Sequence, residues 1–259
     1  MDTVESALDA LRRGEPVIVA DGPERENEAD LILAAEHATA ESIRFMVRHT
    51  SGLICVALPG DRLDELDLPL MVPANSESNG CAFTVSVDCR AGTTTGISAG
   101  DRATTIRALV DPTRRPEDFA RPGHVFPLRA RPGGVLQRPG HTEAALDLTR
   151  LAGLTPAGVL CELVNPDGTM TRGEALTRFA AEHRLVTITI EQVVAFRRRH
   201  ENVVLLHRQC LTGDGLGSGS CNCRLQLDFA KARIADDGKS VIIDLRTDPV
   251  GSPHLVALG

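Results

Sequence analysis

The ten residues Asp21-Gly-Pro-Glu-Arg-Glu-Asn-Glu-Ala-Asp30 constrain this chain more than any other stretch. They carry five acids (Asp21, Glu24, Glu26, Glu28, Asp30) and one arginine, Arg25. Short apolar runs bracket them, at 16–20 (Pro-Val-Ile-Val-Ala) and 31–35 (Leu-Ile-Leu-Ala-Ala). Runs of this length read as buried strands. The acids are therefore expected on a loop between two strands at the edge of a sheet, not on a solvated helix face. Carboxylates this dense repel one another unless a proton, an arginine or a divalent cation sits among them. A solvated acidic turn is the usual outcome for such composition. The short loop, its strand brackets and its internal arginine favour a site here.

At 259 residues the chain allows one large domain, or one domain with a small appendage. An apolar content of 42% is enough for a proper core. There is no membrane-length apolar run and no basic-then-apolar N-terminus, so a soluble, unexported, cytoplasmic protein is expected, with no membrane partner. The net charge of −7 argues against nucleic acid as a partner. Seven cysteines, an odd number in a long chain, suit a reducing compartment better than a disulfide framework. Lysine occurs only at Lys231 and Lys239. Imine chemistry on a carbonyl substrate needs a lysine amine. Carbonyl chemistry in the first 230 residues must instead use a metal ion, or carboxylate, histidine and cysteine.

Along the chain, Thr3 is expected to cap a helix with Val4, Ala7, Leu8 and Leu11 on one face and Gly14 at its end. Thr39 caps a second, with Ile43, Met46 and Val47 inward and Gly52 closing it. Residues 53–58 read as a buried strand, 61–80 as a long loop, and 83–87 as an alternating strand. The small, hydroxylated stretch 92–101 leads into a helix through Ile106 and Leu109. It can bind an anion with its N–H groups, or be a plain capped turn. Residues 111–140 hold an echo, Arg121-Pro-Gly-His124 and Arg138-Pro-Gly-His141, each read as a tight turn presenting a histidine. His141 and Thr142 open a helix. Arg138, the Thr142 hydroxyl and the helix N-terminus together make a phosphate seat. Glu162 lies in the apolar run 157–163, where burial would raise its pKa and make it a general acid/base candidate; the alternative is a half-exposed edge position. A helix around Leu176 and Phe179, a strand over 185–190 and a helix to Arg199 follow. The alternation predicts an α+β fold, a layered α/β sandwich with a mixed sheet.

Several long segments in order resemble 3,4-dihydroxy-2-butanone 4-phosphate synthase of riboflavin biosynthesis. They are Glu24-Arg-Glu-Asn-Glu28 with Asp30, Asp101-Arg-Ala-Thr-Thr105, Arg121-Pro-Gly-His-Val-Phe-Pro-Leu-Arg129, Arg138-Pro-Gly-His-Thr-Glu-Ala144 and Pro156-Ala-Gly-Val-Leu-Cys-Glu162. The resemblance implies a synthase domain over 1–199. It implies a lyase that uses Mg²⁺ or Mn²⁺ to convert D-ribulose 5-phosphate into L-3,4-dihydroxybutan-2-one 4-phosphate and formate. Glu26 and His141 would hold the metal. Arg25, Glu26, Asp30, the loop Arg138, Pro139, Gly140, His141 and Thr142, and Glu162 would contact this sugar phosphate. His124 and Glu162 would move protons. A homodimer with its sites at the subunit interface is implied. The pattern departs from the family at Gly22, Pro23, Ala29, Asn79, Cys81 and Gly100, which keeps a paralogue acting on a related sugar phosphate as an alternative.

Residues 203–246 resemble the zinc-binding core of GTP cyclohydrolase II, often fused behind the synthase. Cys210, Cys221 and Cys223 match its three zinc ligands; they would either hold Zn²⁺ with an open fourth position or stand as three nearby cysteines without it. A short remnant over 200–259, without cyclohydrolase activity, is expected. A non-catalytic partner of a complete cyclohydrolase is the remaining alternative.

Overall fold

Alternation along the apolar runs builds a core on each face of one sheet. The computed structural model describes residues 1–200 and the strand backbones at 204–208, 241–247 and 253–258. Backbone contacts divide the chain into two units, Met1–Phe196 and Arg197–Gly259.

In the first unit, helix α1 (Val4–Arg12) precedes strands β1 (Val17–Ala20) and β2 (Ala29–Ala34), which pair antiparallel. Then come α2 (Ala40–His49), β3 (Cys55–Leu58), α3 (Gly60–Glu65), β4 (Val87–Cys89) and α4 (Ala99–Val110). The unit continues with β5 (Phe119–Arg129), α5 (His141–Leu151), β6 (Gly158–Glu162), α6 (Gly173–His183), β7 (Thr187–Thr189) and the start of α7 (Ile190–His200). The seven strands form one sheet in the order β4-β5-β3-β6-β2-β1-β7. The β1–β7 and β3–β5 pairs are parallel and the others antiparallel, so the sheet is mixed.

Successive side chains on a strand point to opposite faces. Ile18, Leu31 and Val56 pack with α2, α4 and α6. Val17, Val19, Ile32 and Leu160 pack with α1, α5 and α7. A sheet covered on both faces needs continuously apolar strands, which is why the runs carry no polar alternation. The fold is the expected α+β layered sandwich. In the second unit, β8 (Val204–Arg208) pairs parallel with β9 (Val241–Thr247), which pairs antiparallel with β10 (Pro253–Leu258).

Several local expectations are corrected. Asp30 is not on the loop but inside β2, buried. Residues 61–65, expected in a loop, lie in α3. Phe83 and Thr84 make only isolated bridges, and the regular strand starts at Val87. Val47 on α2 is exposed, while Ile43 and Met46 are buried. Pro122-Gly123 is no turn: it lies within β5, where the β4 register shifts between Val87 and Asp88. Among the described residues, no helix is long and apolar enough to cross a membrane.

Candidate active site

Period-two geometry decides which acids meet. Asp30 sits two residues before Ile32, and Glu162 two after Leu160, so both share the face that packs against α5. They are register partners across the β2–β6 pair. Helix α5 begins at His141 behind its N-cap Gly140. Its free N–H groups and positive dipole end favour anions there. These pieces meet in a cleft of about 90 Å³, lined among others by Arg25, Glu26, Asp30, Arg138, His141, Thr142 and Glu162.

His141 is buried, and its Nε2 lies 3.1 Å from the Val19 carbonyl oxygen. That acceptor takes the Nε2–H, which leaves the Nδ1 lone pair aimed into the cleft. Nδ1 is 3.6 Å from Glu26 Oε2 and 4.0 Å from Asp30 Oδ1. Burial alone would lower the imidazole pKa, but Asp30, then Glu26 and Asp21, outweigh it, and the net direction is upward. Glu26 is held below the usual carboxylate range, chiefly by His141 and then by Arg25. Asp30 goes the other way. Burial, reinforced by Glu162, Glu26 and Glu28 and opposed by His141, pushes it up to about 7. Its Oδ1 has no hydrogen-bond partner among the described residues.

The acidic loop is organised from within. Asp21 Oδ1 accepts the Glu28 N–H at 2.7 Å, and its Oδ2 accepts the Glu26 N–H at 3.1 Å and Arg25 Nη1 at 2.8 Å. Arg25 Nη1 also donates to Glu26 Oε2. Asn79 Nδ2 donates to Glu26 Oε1 at 2.8 Å. Asp21, Glu26 and His141 each offer one ligand atom, all within 4.8 Å of one another. Two hard oxygens and an imidazole suit a divalent cation. The orphaned Asp30 oxygen beside them would also gain from positive charge, so the residues fit such an ion.

Three expectations change at the site. Glu162 is half-buried rather than buried, and it accepts the Ser51 hydroxyl at 2.6 Å. Arg138 is already committed, with Nη1 on Glu143 Oε2 at 2.6 Å and Nε on the Asn79 carbonyl at 2.9 Å. Neither Pro139, Gly140 nor His124 lines the cleft among the described residues. Gly140 acts as the N-cap of α5.

His124 is instead paired with Asp88 from β4. Its Nδ1 is 2.7 Å from Asp88 Oδ2, and its backbone N–H reaches Oδ1 at 2.9 Å. The hydroxylated stretch 92–98 folds over this pair. Gly96 has φ +91, and a side chain there would strike both Asp88 and His124. The anion seat read for this stretch is filled from within, because Asp101 Oδ2 takes the Thr94 hydroxyl at 2.7 Å and the Gly96 N–H at 3.0 Å. Asp88, like Glu162, is an acid next to apolar strand residues, a signal sufficient to have found it. Asp21 stood in the acidic run. Arg172, which donates to the carbonyls of Asn27 and Glu26, gave no sequence signal.

Known proteins are similar to this chain. A riboflavin biosynthesis protein RibBA from Salinispora arenicola is 50% identical over 94% of this chain and 69% of its own length. The RibBA of Aquifex aeolicus is 44% identical over 93% of this chain and 71% of its own. A 3,4-dihydroxy-2-butanone 4-phosphate synthase solved with two magnesium ions superposes with a TM-score of 0.75 at 47% identity, covering 77% of this chain and 98% of that one. RibBX of A. baumannii, described as a two domain 3,4-dihydroxy-2-butanone 4-phosphate synthase, gives a TM-score of 0.76 at 31% identity over 95% of this chain and 94% of that one. Residues 176–256 match the GTP cyclohydrolase II family. Residues 5–196 match the 3,4-dihydroxy-2-butanone 4-phosphate synthase family, and the chain belongs to it.

Proposed function

We propose that this chain converts D-ribulose 5-phosphate into L-3,4-dihydroxybutan-2-one 4-phosphate and formate, in the cytoplasm, for riboflavin synthesis. The observation that carries this reading is the convergence of Glu26, His141, Asp30 and Glu162 on one cleft, with the His141 Nδ1 lone pair directed into it. Mg²⁺ or Mn²⁺ would be held by Glu26 and His141, with Asp21 as a third ligand. Bound there, the ion would polarise the substrate carbonyl and stabilise negative charge developing on its oxygen, a task for which the first unit offers no lysine.

The chain's own groups do the rest. Asp30, near neutrality in its titration, can take or return a proton at working pH. Glu162, steadied by Ser51, faces it across the strand pair. Thr142 and the α5 N-terminus seat the phosphate, and Arg25 supplies its positive counterpart. His124, oriented by Asp88, lies outside the cleft lining, and we assign it to the site of a second copy in a homodimer.

The synthase domain is assigned to 1–199 and the GTP cyclohydrolase II-like segment to 200–259. The Zn²⁺ ligands expected at Cys210, Cys221 and Cys223 lie outside the described residues. Stoichiometric zinc that is lost in Cys221→Ser would establish that site. The synthase is tested by supplying ribulose 5-phosphate with Mg²⁺ and assaying formate and the four-carbon phosphate. Absence of both products would overturn the reading in favour of a paralogue on another sugar phosphate, or a non-catalytic partner.

A further inference from the structure

The acidic loop solves a problem that the metal reading creates. Without an ion, Asp21 and Glu26 would face each other with nothing between them. The structure puts one nitrogen there. Arg25 Nη1 bonds Asp21 Oδ2 at 2.8 Å, bonds Glu26 Oε2, and lies 3.4 Å from His141 Nδ1. It therefore touches a donor atom on each of the three residues that cluster within 4.8 Å. A bound divalent ion needs direct bonds of roughly 2.0–2.6 Å to such atoms. Two cations cannot share that hub.

We propose that Arg25 is an internal stand-in for the metal: its guanidinium fills the cradle in the metal-free protein, and metal binding expels it toward the anionic substrate. This rests on the divalent-metal reading above and adds an ordered exchange to it. Two further features support the exchange. First, the loop does not depend on the guanidinium for its shape. Asp21 holds the N–H groups of Glu26 and Glu28, and Arg172 holds the carbonyls of Glu26 and Asn27. Arg25 can leave while the backbone stays. Second, the cleft that Arg25 lines is about 90 Å³, whereas small-molecule sites run from roughly 300 Å³ upward. Withdrawal of a guanidinium enlarges it on the side where the ion and substrate meet. The exchange also couples the two ligands. Metal binding releases the arginine that the phosphate needs, so each ligand strengthens binding of the other.

The test is calorimetric titration of the full chain with Mn²⁺, without substrate, for the parent and for Arg25→Gln. With the competitor removed, the variant is expected to bind Mn²⁺ about tenfold more tightly, the scale of one charge-assisted hydrogen bond. In EDTA the same variant is expected to melt at a lower temperature, because its carboxylates lose their counter-ion. Equal or weaker Mn²⁺ binding by the variant, beside a parent that binds Mn²⁺, would overturn the stand-in and leave the metal site standing. A parent that binds no Mn²⁺ would overturn both. Should Arg25→Gln fail to fold, a crystal structure of the Mn²⁺-loaded parent decides the question. Arg25 withdrawn from Asp21 and Glu26 supports the exchange, and Arg25 still bonded to both refutes it.

Discussion

Two tetrapeptides of identical sequence, Arg121-Pro-Gly-His124 and Arg138-Pro-Gly-His141, end in different structures. The first runs through strand β5 and gives a half-exposed histidine held by Asp88. The second leads into α5 and gives a buried histidine that opens the helix. The surroundings make the difference. Next to β4, the missing proline N–H and the missing glycine side chain are accommodated where the pairing register slips. Before α5, the same residues end an irregular segment and cap a helix. In the proposed function one histidine moves protons and the other holds an ion. Four residues of sequence specify neither role; the partner element does.

The largest effect separates those roles. His141→Ala and His124→Ala are each expected to lower turnover by about 10³-fold or more, on the scale of lost acid–base and metal chemistry. Only His141→Ala should also lose Mn²⁺ binding, measured by calorimetry. If the two histidines meet across a homodimer, mixing the two inactive variants restores one intact site per mixed dimer. Formate release should then return to about a quarter of the parent rate after random exchange of subunits. Mixed samples that stay inactive would refute a site shared between the two subunits.

The pH dependence belongs to the His141 region. Asp30 has a folded pKa near 7, above its ordinary value of 3.8. The folded state therefore holds a proton that the unfolded state releases, and stability falls as pH rises from about 4 to about 7. The raised His141 pKa acts in the same direction, with its contribution lost as pH climbs through the folded value. In EDTA, the parent is expected to lose stability between pH 5 and pH 8. Asp30→Asn should remove on the order of 3 kcal/mol of that loss, read from urea melts at both pH values. An unchanged pH slope in the variant would mean that Asp30 titrates normally.

The layers and most helices were legible because apolar period and caps are local. Thr3, Thr39 and Ser98 cap helices through their own side chains, and the apolar runs had the length of strands. What could not be read depended on pairing. Asp30 looks like the last acid of a loop until Glu162 is set opposite it in register. Arg138 looks like a free phosphate ligand until Glu143, one helical turn into α5, takes its guanidinium. Val47 fits the inner face of α2 by spacing, yet the rotation of that helix leaves it exposed. Glu26 and His141 were paired through the family resemblance. Their proximity has a physical origin in the β1–β2 hairpin and the start of α5, which converge on one end of the sheet.

The glycines of the two tetrapeptides give the finest test of the comparison. A methyl group at Gly123 would run into the Val87 carbonyl and the Asp88 N–H, which are backbone atoms of the paired strand and cannot turn aside. A methyl group at Gly140 would meet the ends of the Arg138 and Glu143 side chains, which can move. Gly140 also has φ −126 and ψ 162, a conformation that any residue adopts. Gly123→Ala is therefore expected to cost about 3 kcal/mol, the upper range for overpacking, and Gly140→Ala about 1 kcal/mol. Denaturant melts of both variants measure the gap. Gly123→Ala should also disturb the Asp88–His124 pair and lower turnover while leaving Mn²⁺ binding intact. Equal costs at the two positions would show that β4 yields to β5, and that the difference between the tetrapeptides is not set by rigid backbone contact.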